Sequence, residues 1–329
     1  MDRGWRFGGQ IRQVTTPLIA DDLAPLPDYC HTVQFSERLT DDEMRAMADL
    51  MAEYPDVRLR VYGRSITDLE FLRFFPGVRR FSVDAMYELP SLDGIRHLSP
   101  DLEDLLIGRT HSNRFSLTVL AQFNKLRKLY LEGQQKEFEA IGRLTSLEDL
   151  TLRSITLRDL SALEPLRKLR SLDIKLGGTR DLRLLPRIGQ LEYVELWMVR
   201  GLDDVSPLAE VMTLEKLFLQ SMKRVTRLPS FAPSLALRHV IIQAMKGITD
   251  LRPLALAPNL EILALTDMPH LGADHLRPFL DHPRLRDGRW GFGSDRKNAK
   301  AWDLLPLGPK PFNYDAHKAR VARSSGTSQ

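Results

Sequence analysis

Four copies of one short pattern stand in a row between Leu191 and Leu265. Leu191-Glu-Tyr-Val194-Glu-Leu196 is followed by Leu214-Glu-Lys-Leu217-Phe-Leu219, Leu237-Arg-His-Val240-Ile-Ile242 and Leu260-Glu-Ile-Leu263-Ala-Leu265, each beginning 23 residues after the last. A period this short means one unit repeated and stacked, because a single unit cannot bury its apolar side alone. Within each copy apolar and polar residues alternate, as in a strand with one buried face. The chain is thereby confined to an elongated array in which successive strands lie side by side.

The same strand core recurs upstream at Val33-Gln-Phe35, Leu59-Val61, Phe81-Val83, Leu105-Ile107, Leu129-Leu131, Leu150-Leu152 and Leu172-Ile174. After a first step of 26 residues the spacings stay between 21 and 24, which makes eleven units. A degenerate twelfth, Leu285-x-x-Gly288-x-Trp290, opens the C-terminal end. The 329 residues would otherwise suggest two or three domains, but an array grows by adding units to one core. The organisation expected is an N-terminal cap over 1–29, which carries Pro17, Pro25 and Pro27, and a solenoid over 30–284. A C-terminal cap over 285–309 would use Trp290, Phe292, Trp302, Leu304, Leu305 and Leu307, and a polar, basic tail over 310–329 reads as disordered.

Each unit has about a dozen residues left to cross its outer side and return, too few for a long helix and two loops, so 3₁₀ turns and extended pieces are expected. Ile248-Thr-Asp-Leu251-Arg-Pro-Leu254, Leu202-Asp-Asp-Val205-Ser-Pro-Leu208 and Leu157-Arg-Asp-Leu160-Ser-Ala-Leu163 repeat one design there, with apolar residues at every third position. Only the longer first unit has room for a full helix. Thr40-Asp-Asp-Glu43 reads as its capping box, and Met44, Met47, Leu50 and Met51 share one face.

With L-x-x-L-x-L at the head of each unit and Ile-Thr-Asp-Leu-x-Pro-Leu on its outer side, the chain resembles the leucine-rich repeat proteins, in particular the 22-residue repeats of the bacterial internalins. The resemblance covers roughly residues 30–285. It implies an α/β solenoid: a right-handed, curved superhelix with a parallel sheet on the concave side and short 3₁₀ or extended segments on the convex side. It also implies binding of a protein partner and no catalysis. One departure is clear. The family places Asn at the ninth position of the unit, where it bonds the backbone of the next turn. This chain has Met222, Met245 and Met268 there, Val199 one unit earlier and Gln134 in another. Methionine is expected to fill space without satisfying the backbone.

Composition limits the partners. A net charge of +4 against 47 basic and 43 acidic residues argues against a nucleic-acid surface. One cysteine, Cys30, excludes an internal disulfide, and the N-terminus has no apolar run of a signal peptide, so a cytoplasmic, reducing setting is expected. No segment is apolar enough to span a membrane. A monomer without cofactor or metal is expected.

The two leucines of L-x-L should point inward and their flanking residues should line the concave face, with equivalent positions of neighbouring strands about 4.8 Å apart. In the middle of that face fall Tyr130, Tyr193, Trp197, Phe218 and Ile241, among Arg153, Asp173, Lys175, Glu195 and Lys216. Large rings among charges are what binding hot spots are made of, and these residues are the expected partner-binding surface. Strands also favour aromatic residues for their own sake. Asp173 and Glu195 share a column and could serve as paired carboxylates of a polymer hydrolase, but a charged face balanced by lysine and arginine explains them more simply.

The remaining candidates are weaker. Cys30-His31 lacks an indicated base, and buried free cysteines are common. His270, His275 and His282, with Asp274 and Asp281, match no standard zinc spacing. Gly291-Phe-Gly293-Ser-Asp-Arg296-Lys297 lacks the preceding strand and the Lys-Ser/Thr ending of a phosphate loop.

Overall fold

The computed structural model describes residues 10–84, 89–110 and 115–308. The chain divides into two compact units, residues 1–178 with 187–190, and residues 179–186 with 191–329. The first nine residues and the expected tail lie outside the described residues.

The first unit carries strands β1 (Ile11–Val14), β2 (Thr32–Phe35), β3 (Arg58–Tyr62), β4 (Arg80–Asp84), β5 (Asp104–Ile107), β6 (Lys128–Glu132), β7 (Asp149–Arg153) and β8 (Ser171–Lys175). They pair in parallel and in chain order. The second unit carries β9 (Tyr193–Trp197), β10 (Lys216–Gln220), β11 (His239–Gln243), β12 (Ile262–Thr266) and β13 (Asp287–Trp290), also parallel and in order. The register is the one the period dictates. Leu129 stands beside Leu150 and Leu150 beside Leu172; Val194, Leu217, Val240 and Leu263 form the corresponding row. All of these side chains are buried. Each contributes about 2 kcal/mol by leaving water.

The sheet begins earlier than expected. β1 lies inside the segment read as a cap and pairs with β2, Gln13 beside Gln34. No leucine pattern marks it, because Arg12 occupies the place beside Val33 where the other units carry an apolar residue. Its guanidinium instead donates to the carbonyls of Ala24 and Pro25.

Many of the strands end in a left-handed residue. Ser154, Met198, Ser221, Ala244 and Asp267 have φ between 51° and 56°. The turn pays its strain back through the next strand: Ser154, Ser221 and Ala244 donate their N–H to Lys175, Gln243 and Thr266 at 2.8–3.0 Å. At the ninth position Gly177 is obligatory in another way, since a Cβ there would lie 1.9 Å from the Ile155 carbonyl oxygen.

Thr40 and Glu43 cap α1 (Asp41–Glu53) reciprocally, Glu43 N–H to Thr40 Oγ1 at 3.3 Å and Thr40 N–H to Glu43 Oε2 at 2.7 Å. Met44, Met47, Leu50 and Met51 are buried beneath it. Most later units cross their outer side in short 3₁₀ turns; α2 (Arg252–Ala255) is a single helical turn. The recurring Asp has a physical reason. Asp159, Asp181, Asp204 and Asp250 each accept the backbone N–H two residues on, at 2.8–2.9 Å, and so start the turn. Arg183 and Arg252 fork back onto their own aspartates and hold those carboxyls below the usual range, the side-chain hydrogen bond being the main cause and the backbone N–H the next.

At the C-terminal end Trp290, Phe292 and Leu305 are buried, and the Trp290 indole donates to the Leu305 carbonyl at 3.2 Å. The helix α3 (Asp295–Leu304) is capped by the Ser294 hydroxyl, which accepts the Lys297 N–H.

Candidate functional site

The expected surface residues fall on both units. Tyr130, Arg153, Asp173 and Lys175 belong to β6, β7 and β8; Tyr193, Glu195, Trp197, Lys216, Phe218 and Ile241 belong to β9, β10 and β11. All occupy the positions flanking the buried inward residues, so within each unit they lie on the sheet face opposite the core.

In the first unit these residues form a tied polar surface. The Tyr130 hydroxyl donates to Glu132 Oε2 at 3.1 Å, and Arg153 lies 3.2 Å from the other oxygen of that carboxylate. Burial first, then the Glu132 charge, pushes the Tyr130 phenol up to about 12. Lys175 Nζ meets Asp173 Oδ2 at 2.8 Å, and the Thr151 hydroxyl reaches the same oxygen at 3.4 Å. Below them Asp149 is raised above the ordinary carboxyl range, mainly by burial, with Lys128 opposing and Asp104 adding to the rise.

In the second unit the Tyr193 hydroxyl donates to Glu195 Oε2 at 2.8 Å. Phe218 and Ile241 stand side by side on β10 and β11, and Lys216 stands beside His239. Burial, reinforced by the charge of Lys216, holds the His239 imidazole below its ordinary pKa.

Two expectations change. The rings of Tyr193, Trp197 and Phe218 are half-buried, not fully exposed, because adjacent strands are close enough for neighbouring side chains to cover one another's flanks. Asp173 and Glu195, read as surface carboxylates, are buried. They belong to different units, and each is bonded to a neighbour on its own unit, Asp173 to Lys175 and Thr151, Glu195 to Tyr193.

Sequence reasoning missed a second polar network at the start of the first unit. Arg60 forks onto Asp84 at 2.9 and 3.0 Å and donates to Gln34 at 2.6 Å, while its guanidinium covers the Tyr62 ring at 4.7 Å. Gln34 and Tyr62 both donate to Gln13 Oε1, at 2.9 and 2.7 Å. Arg58 bridges Asp104 and Ser82. Arg60 and Asp84 stand in different columns of adjacent strands, so only side-chain reach brings them together. Gln13 could not have been found without β1.

The minor candidates resolve into local structure. Cys30 is buried and its thiol points to the Thr32 carbonyl at 3.6 Å. His270 and His282 each meet a backbone carbonyl at 2.8 Å, of Ile248 and Ala257, and His275 bonds the backbone of Gly272. Among the described residues no group of three His, Cys, Asp or Glu is placed to hold a metal, and no helix is long and apolar enough to cross a membrane.

No family model matches the chain, and no curated protein does. Among solved structures it is similar to internalin C2 of Listeria monocytogenes str. 4b F2365, with 22% identity and a TM-score of 0.43 over 69% of this chain and 84% of that one. It is also similar to TLR13 in a complex with ssRNA13, with 14% identity and a TM-score of 0.44 over 88% of this chain and 55% of that one. The assignment of the fold rests on the register and the period, not on these likenesses. Strands recurring every 21–24 residues, paired in parallel with their leucines in rows and joined by short 3₁₀ turns, make this chain a leucine-rich repeat protein.

Proposed function

We propose that the chain is a non-catalytic protein-binding module that uses the sheet face opposite its core. The residues assigned to binding are Tyr130, Arg153, Asp173 and Lys175 on the first unit, and Tyr193, Glu195, Trp197, Lys216, Phe218 and Ile241 on the second. One observation carries the reading. Trp197 and Phe218 keep part of their ring area in water, although Leu196, Leu217 and Leu219 beside them already supply the apolar row that the repeat needs. Ring area left in water has no structural return, and a protein partner supplies one. In this reading the protein acts as a monomer in the cytoplasm, where its one buried cysteine stays reduced.

The test is affinity capture from the native cell with the parent chain and with the Trp197→Ala/Phe218→Ala double variant. The recovered partner is then titrated against both by calorimetry. A loss of about 2 kcal/mol or more marks the rings as a hot spot. A double variant that binds as tightly as the parent removes this face from consideration.

A further inference from the structure

On β10 to β13 the register sets two rows side by side. One row runs Lys216, His239, Ile262, Asp287; the other runs Phe218, Ile241, Ala264, Arg289. The middle holds Ile241, Ile262 and Ala264 with His239 among them, and a cation stands at each end of the diagonal. Lys216 and Arg289 are exposed, and neither side chain has a hydrogen bond or ion pair among the described residues. Several other arginines of this unit are engaged. Arg238 and Arg286 both bond Glu261, and Arg252 forks onto Asp250. Asp287, in the row of Lys216 and two residues before Arg289, forms an ion pair with neither, and its buried Oδ1 has no hydrogen-bond partner among the described residues. Two further carboxylates of the face are engaged elsewhere. Glu195 holds the Tyr193 hydroxyl, and Asp267 accepts the Gln243 amide at 2.7 Å. His239 registers the same imbalance, with Lys216 and Arg289 both disfavouring its protonation and Asp287 alone opposing them.

We infer that this face takes an extended acidic segment of a protein partner, its apolar side chains seated on Phe218 and Ile241 and its carboxylates on Lys216 and Arg289. The inference rests on the proposed binding function and adds the partner's chemistry to it. Charge complementarity selects the sign, since two desolvated cations left unmatched would oppose any neutral or basic segment. The spacing follows from geometry. Lys216 and Arg289 are three strands apart and two residues offset along them, about 16 Å on the diagonal, and an extended peptide advances about 3.4 Å per residue. The segment therefore carries two Asp or Glu about five residues apart with apolar residues between them.

The experiment is selection of a displayed library of random 15-residue peptides on the full-length chain. It is run in parallel on Lys216→Gln/Arg289→Gln and on Lys223→Gln/Lys246→Gln, the second a charge-matched control in the turns beyond the strands. All four side chains are exposed, and each variant should melt with the parent. The expected result is enrichment of the acidic-apolar pattern on the parent and the control but not on Lys216→Gln/Arg289→Gln, with the best peptide binding that variant at least ten-fold more weakly. Neutral or basic consensus sequences, absence of enrichment, or an acidic consensus that survives on Lys216→Gln/Arg289→Gln each overturn the inference. So does tighter binding of the oligonucleotide dT20 than of the best peptide, which would assign the cations to phosphate. Selected neutral peptides that lose affinity on Phe218→Ala would leave the protein-binding reading standing and remove only the preference for acids.

Discussion

The backbone N–H of Met222 points at the thioether sulfur of Met245, 3.2 Å away, and the N–H of Met245 points in the same way at Met268, also at 3.2 Å. The last N–H of the ladder, that of Met268, reaches the Gly291 carbonyl at 2.9 Å. The expectation that methionine leaves this backbone unsatisfied is wrong: the sulfur is a weak acceptor placed where the related repeats put an amide oxygen. Gln134 fills the role in the first unit, accepting the Glu132 N–H at 3.0 Å and donating to the Gly108 carbonyl at 3.0 Å.

Replacing Met245 by Leu keeps the volume and removes the acceptor. The buried Met222 N–H is then orphaned, and stability should fall by about 1–2 kcal/mol. Met245→Asn offers an amide oxygen in the same place and should be tolerated better than Leu. Denaturant unfolding of both variants measures the difference; a Leu variant as stable as the parent would show that the sulfur contributes nothing.

Leu217 sits in the buried row between Val194 and Val240. Leu217→Ala should cost about 2–5 kcal/mol through the cavity it leaves. A loss below about 1 kcal/mol would mean that neighbouring units collapse into the gap more readily than a packed interior allows.

Phe218 flanks that row on the opposite face and is half-buried. Phe218→Ala should therefore destabilise the fold by only about 1 kcal/mol, half the value of a fully buried ring. Its main effect should be on partner affinity. Comparing its unfolding midpoint with that of Leu217→Ala separates the two roles; equal losses would place Phe218 in the core.

Tyr130 should stay neutral well past the pH at which free tyrosine ionises, since its phenol is pushed up to about 12. The unfolded phenol titrates near 10. The stability tied to this group is complete below that pH and is lost as pH rises toward the folded value. Glu132→Gln should bring the ionisation down part of the way, because the carboxylate is the second cause after burial. Tyrosinate absorbance, with Tyr130→Phe as the blank, reads the midpoint; no change in Glu132→Gln would leave burial as the sole cause.

What was legible in the sequence was everything that repeats. A fixed period with two inward residues per strand sets the buried rows of each unit, and the outer-side Asp reads as a turn former because its bonding partner lies two residues on. What the tertiary structure alone decided lies between units. β1 carries Arg12 where the pattern wants an apolar residue, so only pairing with β2 reveals it. The Arg60–Asp84 fork, the covering of the aromatic rings and the Met222–Met245 contact all join side chains or backbone groups more than 20 residues apart in the chain. Periodicity determines which way a residue points, since direction is set by the local backbone. It does not determine what that residue meets across the 4.8 Å to the next strand, because that depends on rotamer and reach, which the neighbouring unit settles.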